Sequence, residues 1–254
     1  MTTTTGLADE GTFAEIKAIA FDHSGTISDD IIATHRAATI AGASYGIAVE
    51  CDPIAWGLRA QSSAKTDLLA RAAMAREMGD TALAERLAAI TPDAFAEMFR
   101  RTLRIVVHGV TPGGIGRCVP TPIGDSVGAL RKLRHAVGDA FPIAVVSAHP
   151  QDLLTADLVR YGIAGIFTKI QGDCFNKTDA LIAFARTNGL DPKCVAYVGD
   201  TIGDMHAAQC AGVVSIAATC GYHSREMMIA MKPRFVFDDV AQFVDRFVTA
   251  VQTR

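Results

Sequence analysis

Short apolar runs, each about five residues long, recur along the chain with no alternation of polar and apolar positions. They are Ala18–Phe21, Ile143–Ser147, Val195–Gly199, Val213–Ala217 and Phe235–Phe237. A strand with one face in water alternates; runs that do not alternate predict strands covered on both faces of a parallel sheet. Between them apolar residues return at helical spacing. Val127, Leu130 and Leu133 form one such set, Leu153, Leu154, Leu158 and Val159 another, and Leu181, Ile182, Phe184 and Ala185 a third. Strands alternating with single helices predict an α/β fold built on a doubly wound parallel sheet.

One stretch breaks that rhythm. From about Ala33 to Cys118 the pattern is helical and Ala-rich, predicting helices over roughly 33–48, 63–79, 80–90 and 92–107. Thr91-Pro92 supplies an N-cap and a first-turn proline for the last of these, and Phe95, Met98, Phe99, Leu103 and Val106 form its apolar stripe. Gly-rich Thr111-Pro-Gly-Gly-Ile-Gly116 reads as a linker, not a nucleotide fingerprint, because no strand precedes it. The division expected is a core of residues 12–32 and 119–254, a helical insert of residues 33–118, and a tail of residues 1–11.

Composition narrows the function classes. Half of the 254 residues are hydrophobic and 20% are charged, with a formal net charge of −3. These values exclude fibrous and wholly disordered chains. No basic stripe exists to bind nucleic acid. No apolar stretch is long enough to span a membrane, and residues 1–10 lack the pattern of a signal peptide. The six cysteines, Cys51, Cys118, Cys174, Cys194, Cys210 and Cys220, form no C-x-x-C pair and are expected as buried thiols of a cytoplasmic protein.

Ligands of open parallel sheets bind beyond the carboxyl ends of the strands, so the residues there carry the chemistry. Asp22-His23-Ser24-Gly25-Thr26 follows the first run, and Ser147 ends the second, with His149 just beyond. Asn176-Lys177 precedes the Val195–Gly199 run, and Asp200-Thr201-Ile202-Gly203-Asp204 follows it. Three carboxylates, a hydroxyl and an ammonium on one sheet edge suit a divalent cation and an anionic substrate. Each has a plainer reading: Asp22, Ser147, Asp200 and Asp204 as helix caps, and Lys177 as a surface charge.

Asp22-x-x-Gly25-Thr26, Ser147, Lys177 and Gly199-Asp200-x-x-x-Asp204 stand in the order of the four motifs of the haloacid dehalogenase (HAD) superfamily, which the chain resembles. The insert sits where that superfamily carries its helical C1 cap. Tyr197 through Gly221-Tyr-His-Ser-Arg-Glu226 to Phe237-Asp-Asp239 looks like the phosphoglycolate-phosphatase branch. The resemblance implies a phosphatase of small phosphorylated metabolites with Asp22 as nucleophile, forming an aspartyl-phosphate. It implies that Ser147 bonds the phosphoryl group and that Lys177 neutralises charge shared by Asp22 and phosphate. It further implies Mg²⁺ held by Asp22, Asp200 and the Ser24 backbone carbonyl, with Asp204 in support. Thr26 is expected to help orient Asp22 or bind substrate, with Arg59 and His149 in the substrate's vicinity.

The departure is at Ser24. Most HAD phosphatases carry there a second Asp that serves as general acid and base, and a hydroxyl without a basic partner cannot do that work near neutral pH. His23, the adjacent histidine, should face away from Asp22 on extended backbone. Phosphonoacetaldehyde hydrolases also lack this Asp and use a cap lysine as a Schiff base, which points to Lys65 and to a phosphonate substrate. Lys65 has two other readings, a cap contact to substrate or a solvated helix lysine. A third possibility is a scaffold that binds a phosphorylated ligand without turnover.

Overall fold

The computed structural model describes residues 10–45, 75–108 and 118–252. All five apolar runs form strands of a six-stranded sheet. Its strands are β1 (Ala18–Phe21), β4 (Ile143–Val146), β5 (Lys169–Gln171), β6 (Val195–Gly199), β7 (Val214–Ala218) and β8 (Phe235–Phe237), in the order β5-β4-β1-β6-β7-β8. Every pairing is parallel, with Ile19 beside both Ile143 and Ala196. A doubly wound α/β sheet is therefore present.

The two faces of the sheet differ in side-chain size. Ile19, Phe21, Val145, Val198 and Ile216 point to one side, where they meet helices α1 (Glu10–Glu15), α5 (Ser126–Val137), α6 (Gln151–Arg160) and α10 (Val240–Gln252). Phe13, Phe235, Phe237, Phe243 and Phe247 interlock on this side, with the rings of Phe13 and Phe235 stacked at 4.5 Å. Ala18, Ala20 and Ala144 face the other way, where small side chains let α7 (Lys177–Thr187) and α8 (Ile202–Ala211) lie close to the strands. That closeness matters because α7 and α8 each begin at the carboxyl edge of the sheet with a charged residue of the site.

Two elements escape the sequence pattern. Strand β5 is short and its residues are only half-buried, so Lys169-Ile170-Gln171 shows no apolar run. Strands β2 (Ser28–Asp29) and β3 (Thr121–Pro122) form a two-stranded antiparallel ribbon at the two ends of the insert. The run expected at Val213–Ala217 is displaced by one residue.

The chain divides into two compact units, one of residues up to Asp29 with Thr121 onward, the other Asp30–Pro120. The second contains α2 (Ile31–Ser44), α3 (Thr81–Ala89) and α4 (Pro92–His108). Ala33, Ala37 and Ala41, spaced four apart, are buried, and α2 packs on α4, where Leu103 and Val106 are fully buried. Thr91 caps α4 as expected, its hydroxyl oxygen accepting the Ala94 N–H at 3.2 Å. The helix expected over 63–79 falls largely outside the described residues, as does the Gly-rich linker.

The cysteine expectation is corrected. Of the five described cysteines only Cys174 is buried, and Cys210 is exposed on α8, whose inner face is occupied by Ala207, Ala208 and Ala211. All five are free thiols. No helix among the described residues is long and apolar enough to cross a membrane.

Phe243 has no exposed surface and contacts three other phenylalanines of the cluster. Phe243→Ala should therefore cost about 3–5 kcal/mol of stability, measured as a lowered urea midpoint, because the surrounding rings cannot fill the space.

Candidate active site

Asp22 is the first residue after β1, and its N–H still donates to Val198 O at 2.8 Å, so the sheet itself fixes its position. The chain then turns tightly. The carbonyl of His23 accepts N–H groups from Thr26, Ile27 and Ser28 at 2.9–3.3 Å. Gly25 adopts φ +76°, and a side chain there would collide with the carboxylate of Asp200. A side chain at Gly221 would meet the same carboxylate. These two glycines leave room for Asp200 and for nothing larger.

Asp200 is the first residue after β6 and has no exposed surface. The Thr26 hydroxyl donates to its Oδ1 at 2.7 Å, and the Tyr222 N–H donates to its Oδ2 at 2.7 Å. Thr26, expected beside Asp22 or substrate, thus holds Asp200 and is itself fully buried.

Asp204 lies one turn into α8 and has two jobs. Its Oδ2 accepts the N–H and hydroxyl of Thr201 at 3.1 and 2.6 Å, closing a capping box. Its Oδ1 accepts from Lys177 Nζ at 2.6 Å and from the Tyr197 hydroxyl at 3.0 Å. The capping reading and the site reading of Asp204 are both realised by one side chain.

Lys177 opens α7, whose N-cap Asn176 accepts the Asp179 N–H at 3.1 Å. Its ammonium reaches back over the sheet edge to Asp22 at 3.0 Å and Asp204 at 2.6 Å. Ser147 is buried, its hydroxyl oxygen accepting the His149 N–H at 3.3 Å. It does not cap α6, where Pro150 stands as N-cap. His23 is fully buried, with Nε2 3.8 Å from Asp157 Oδ2 and its ring 5.1 Å from that of His149.

The electrostatics follow from burial. Burial pushes the Asp22 carboxyl up to about 6 against the pull of the Lys177 ammonium, with Asp204 adding to the rise. Burial raises Asp200 well above the usual carboxylate range, and the charges of Asp204 and Asp22 raise it further. Asp204 is also buried, but Lys177 and the bonds from Lys177, Thr201 and Tyr197 hold it below that range. Burial opposes the charge on Lys177, and the two carboxylates more than offset that, so it stays an ammonium.

Oxygens of Asp22, Asp200 and Asp204 lie within 4.8 Å of one another, all three residues buried. Three carboxylates against one ammonium leave two negative charges in excess when all are ionised. A divalent cation on oxygen ligands fits that excess and that donor set. Asp204 carries bonds from Lys177, Thr201 and Tyr197, whereas Asp22 carries the ion pair to Lys177, and Asp200 carries the Thr26 hydroxyl and the Tyr222 N–H.

The structure thus brings together Asp22, Ser24, Thr26, Ser147, His149, Lys177, Asp200 and Asp204 on one edge of the core unit. Arg59 and Lys65 lie outside the described residues, and with Lys65 goes the observation that a Schiff-base reading would need. Sequence reasoning missed Tyr197 and Tyr222 as partners of the carboxylates. A tyrosine inside an otherwise aliphatic buried strand was the available signal for Tyr197, since its hydroxyl must find an acceptor.

Comparison with known proteins places this sheet and its carboxyl-edge cluster in a family. The family model described as haloacid dehalogenase-like hydrolase matches residues 51–209, and a HAD-hydrolase-like model matches residues 177–243. The chain belongs to the haloacid dehalogenase-like hydrolase family. It is 28% identical over 237 residues to the phosphoglycolate phosphatase of Vibrio vulnificus, covering 91% of this chain and 96% of that one. It is 24% identical over 230 residues to the phosphoglycolate phosphatase of Synechococcus elongatus, covering 88% and 93%. Among solved structures it resembles a haloacid dehalogenase-like family hydrolase from Streptococcus pneumoniae, with a TM-score of 0.68 at 17% identity over 92% and 99% of the two chains. CbbY from Rhodobacter sphaeroides, solved with phosphate, gives a TM-score of 0.61 at 15% identity over 90% and 96%.

The folded value of about 6 for Asp22 stands above its ordinary 3.8, so the folded state keeps this proton longer than the unfolded chain does. Stability from this group therefore falls as pH rises from about 4 to about 6. In EDTA-treated protein, the urea midpoint of wild type relative to Asp22→Asn should fall between pH 4.5 and pH 7. Adding a divalent cation should raise the wild-type melting temperature more at pH 7 than at pH 4.5, where protons compete for the same carboxylates. Separately, Tyr197→Phe removes a buried hydrogen bond to a carboxylate and should cost about 1.5–3 kcal/mol by chemical denaturation.

Proposed function

We propose that this protein is a Mg²⁺-dependent phosphatase that releases phosphate from a small phosphorylated metabolite through an aspartyl-phosphate on Asp22. Phosphoglycolate, the substrate class in the names of the curated relatives, is the first candidate. The observation that carries the reading is the Lys177 ammonium bonded at once to Asp22 and Asp204 while Asp200 stands buried beside them.

Each residue has a part. The carboxylate of Asp22 attacks phosphorus, held for this by the β1–β6 backbone bond and by Lys177. Lys177 keeps Asp22 ionised in a buried position and draws the negative charge of the transferring group toward itself. The Ser147 hydroxyl, buried just past the end of β4, donates to a phosphoryl oxygen. Mg²⁺ on Asp22 and Asp200 would supply positive charge against the phosphoryl oxygens as the bond to the leaving group breaks. The helical unit, by its place in the chain after β1, is the cap to which selection among substrates is assigned.

Asp22→Asn should lower phosphate release from 2-phosphoglycolate and from a panel of phosphomonoesters by about a thousandfold or more, with the melting transition retained. EDTA should abolish release and Mg²⁺ restore it. Unchanged release by Asp22→Asn would refute the reading.

A further inference from the structure

The reaction proposed above needs a proton delivered to the leaving oxygen and another removed from the attacking water. The position where most of the family's phosphatases carry a carboxylate for this holds Ser24. Its hydroxyl does not stand alone: Ser24 Oγ and His149 Nδ1 share a hydrogen bond at 3.2 Å, across 125 residues of sequence. The imidazole is buried, at 5% exposure, and its backbone is anchored to the phosphate-side residue Ser147 through the His149 N–H. Its ring packs at 5.1 Å and 48° against that of His23. His23 in turn lies 3.8 Å from Asp157, which is pinned by Arg160 at 2.6 Å. The ring of His149 is thus packed against that of His23, with its Nδ1 on the hydroxyl two residues past Asp22.

We propose that Ser24 and His149 together form the proton-transfer pair of this enzyme, Ser24 meeting the substrate and His149 relaying protons through the Ser24 hydroxyl in place of a carboxylate. This rests on the phosphatase reading above. In the first half-reaction the Asp22 oxygen forms a bond to phosphorus and the bond from phosphorus to the leaving oxygen breaks. That oxygen takes the proton of Ser24 Oγ, and Ser24 takes one from Nδ1 of the His149 imidazolium, which is left as the neutral imidazole. In the second, water attacks phosphorus and the bond to Asp22 breaks. The water proton passes to Ser24 Oγ, whose own proton returns to His149. The sum is ester plus water giving alcohol plus phosphate, with both side chains restored.

The test uses full-length protein, Mg²⁺ and two substrates that differ in their need for an acid. An alkyl phosphate such as 2-phosphoglycolate needs its leaving oxygen protonated, whereas p-nitrophenolate leaves without a proton. His149→Ala should slow release from the alkyl ester by about 10²–10⁴-fold. On p-nitrophenyl phosphate it should give a burst of about one equivalent of p-nitrophenol, followed by slow turnover, with phosphate trapped on Asp22 after acid quench. A carboxylate at position 24 makes the imidazole dispensable, so Ser24→Asp combined with His149→Ala should regain most of the lost rate. A merely structural histidine would give none of this pattern. Equal losses on both substrates without trapped phosphoenzyme, an unaltered rate in His149→Ala, or no recovery in the double variant while Ser24→Asp alone is active would each overturn the proposal. In those cases wild-type turnover leaves the phosphatase reading standing. A wild type that releases no phosphate from either ester overturns that reading and the pair's role with it.

Discussion

Three carboxylates buried within reach of one another repel, and the arrangement at the sheet edge is organised around what offsets that repulsion. Lys177 does most of it from within the chain, spanning Asp22 and Asp204 with one ammonium. Among the described residues Asp200 is the carboxylate least compensated by charge, held by a threonine hydroxyl and a backbone N–H. Such a site is stable enough to fold yet keeps an unmet demand for positive charge, and a buried group under that kind of tension is what binding sites are made from. The demand is local, so the net charge of −3 carries no information about it.

The scaffold meets this demand with very ordinary devices. Small residues on one face of β1 and β4 bring α7 and α8 near the strands, and the first turns of these helices deliver Lys177 and Asp204. Asp204 closes the capping box of its own helix with the oxygen that Lys177 does not use. Structural capping and site chemistry are commonly set against each other when a sequence is read, yet a carboxylate has two oxygens and several lone pairs. Here the cap locks the side chain in the rotamer that the ion pair requires.

Ser24 marks where this chain leaves the pattern of its family's phosphatases. A lone hydroxyl is a poor acid and a poor base, so the loss of a carboxylate at that point reads as loss of turnover or as a change of chemistry. Its hydrogen bond to His149 alters that reading, because the hydroxyl then has an imidazole as a proton-exchange partner. Both residues sit on loops fixed by strands, Ser24 after β1 and His149 after β4, adjacent in the sheet.

The parallel sheet, its helices and the places of Asp22, Ser147, Lys177, Asp200 and Asp204 were legible in the sequence, because both-face burial leaves unbroken apolar runs and ligands gather where those runs end. The short strand β5 was not, since its half-buried residues carry no such signature. The ribbon β2–β3 was not either, since residues about ninety positions apart pair through backbone groups that every sequence has. What only the tertiary structure decided were the partnerships. Thr26 serves Asp200, Tyr197 serves Asp204, and His149 serves Ser24. Sequence spacing determines which residues share a helix face or a strand edge. Which donor reaches which acceptor depends on side chains from separate strands and helices meeting at distances near 3 Å, and the folding of the sheet sets those distances.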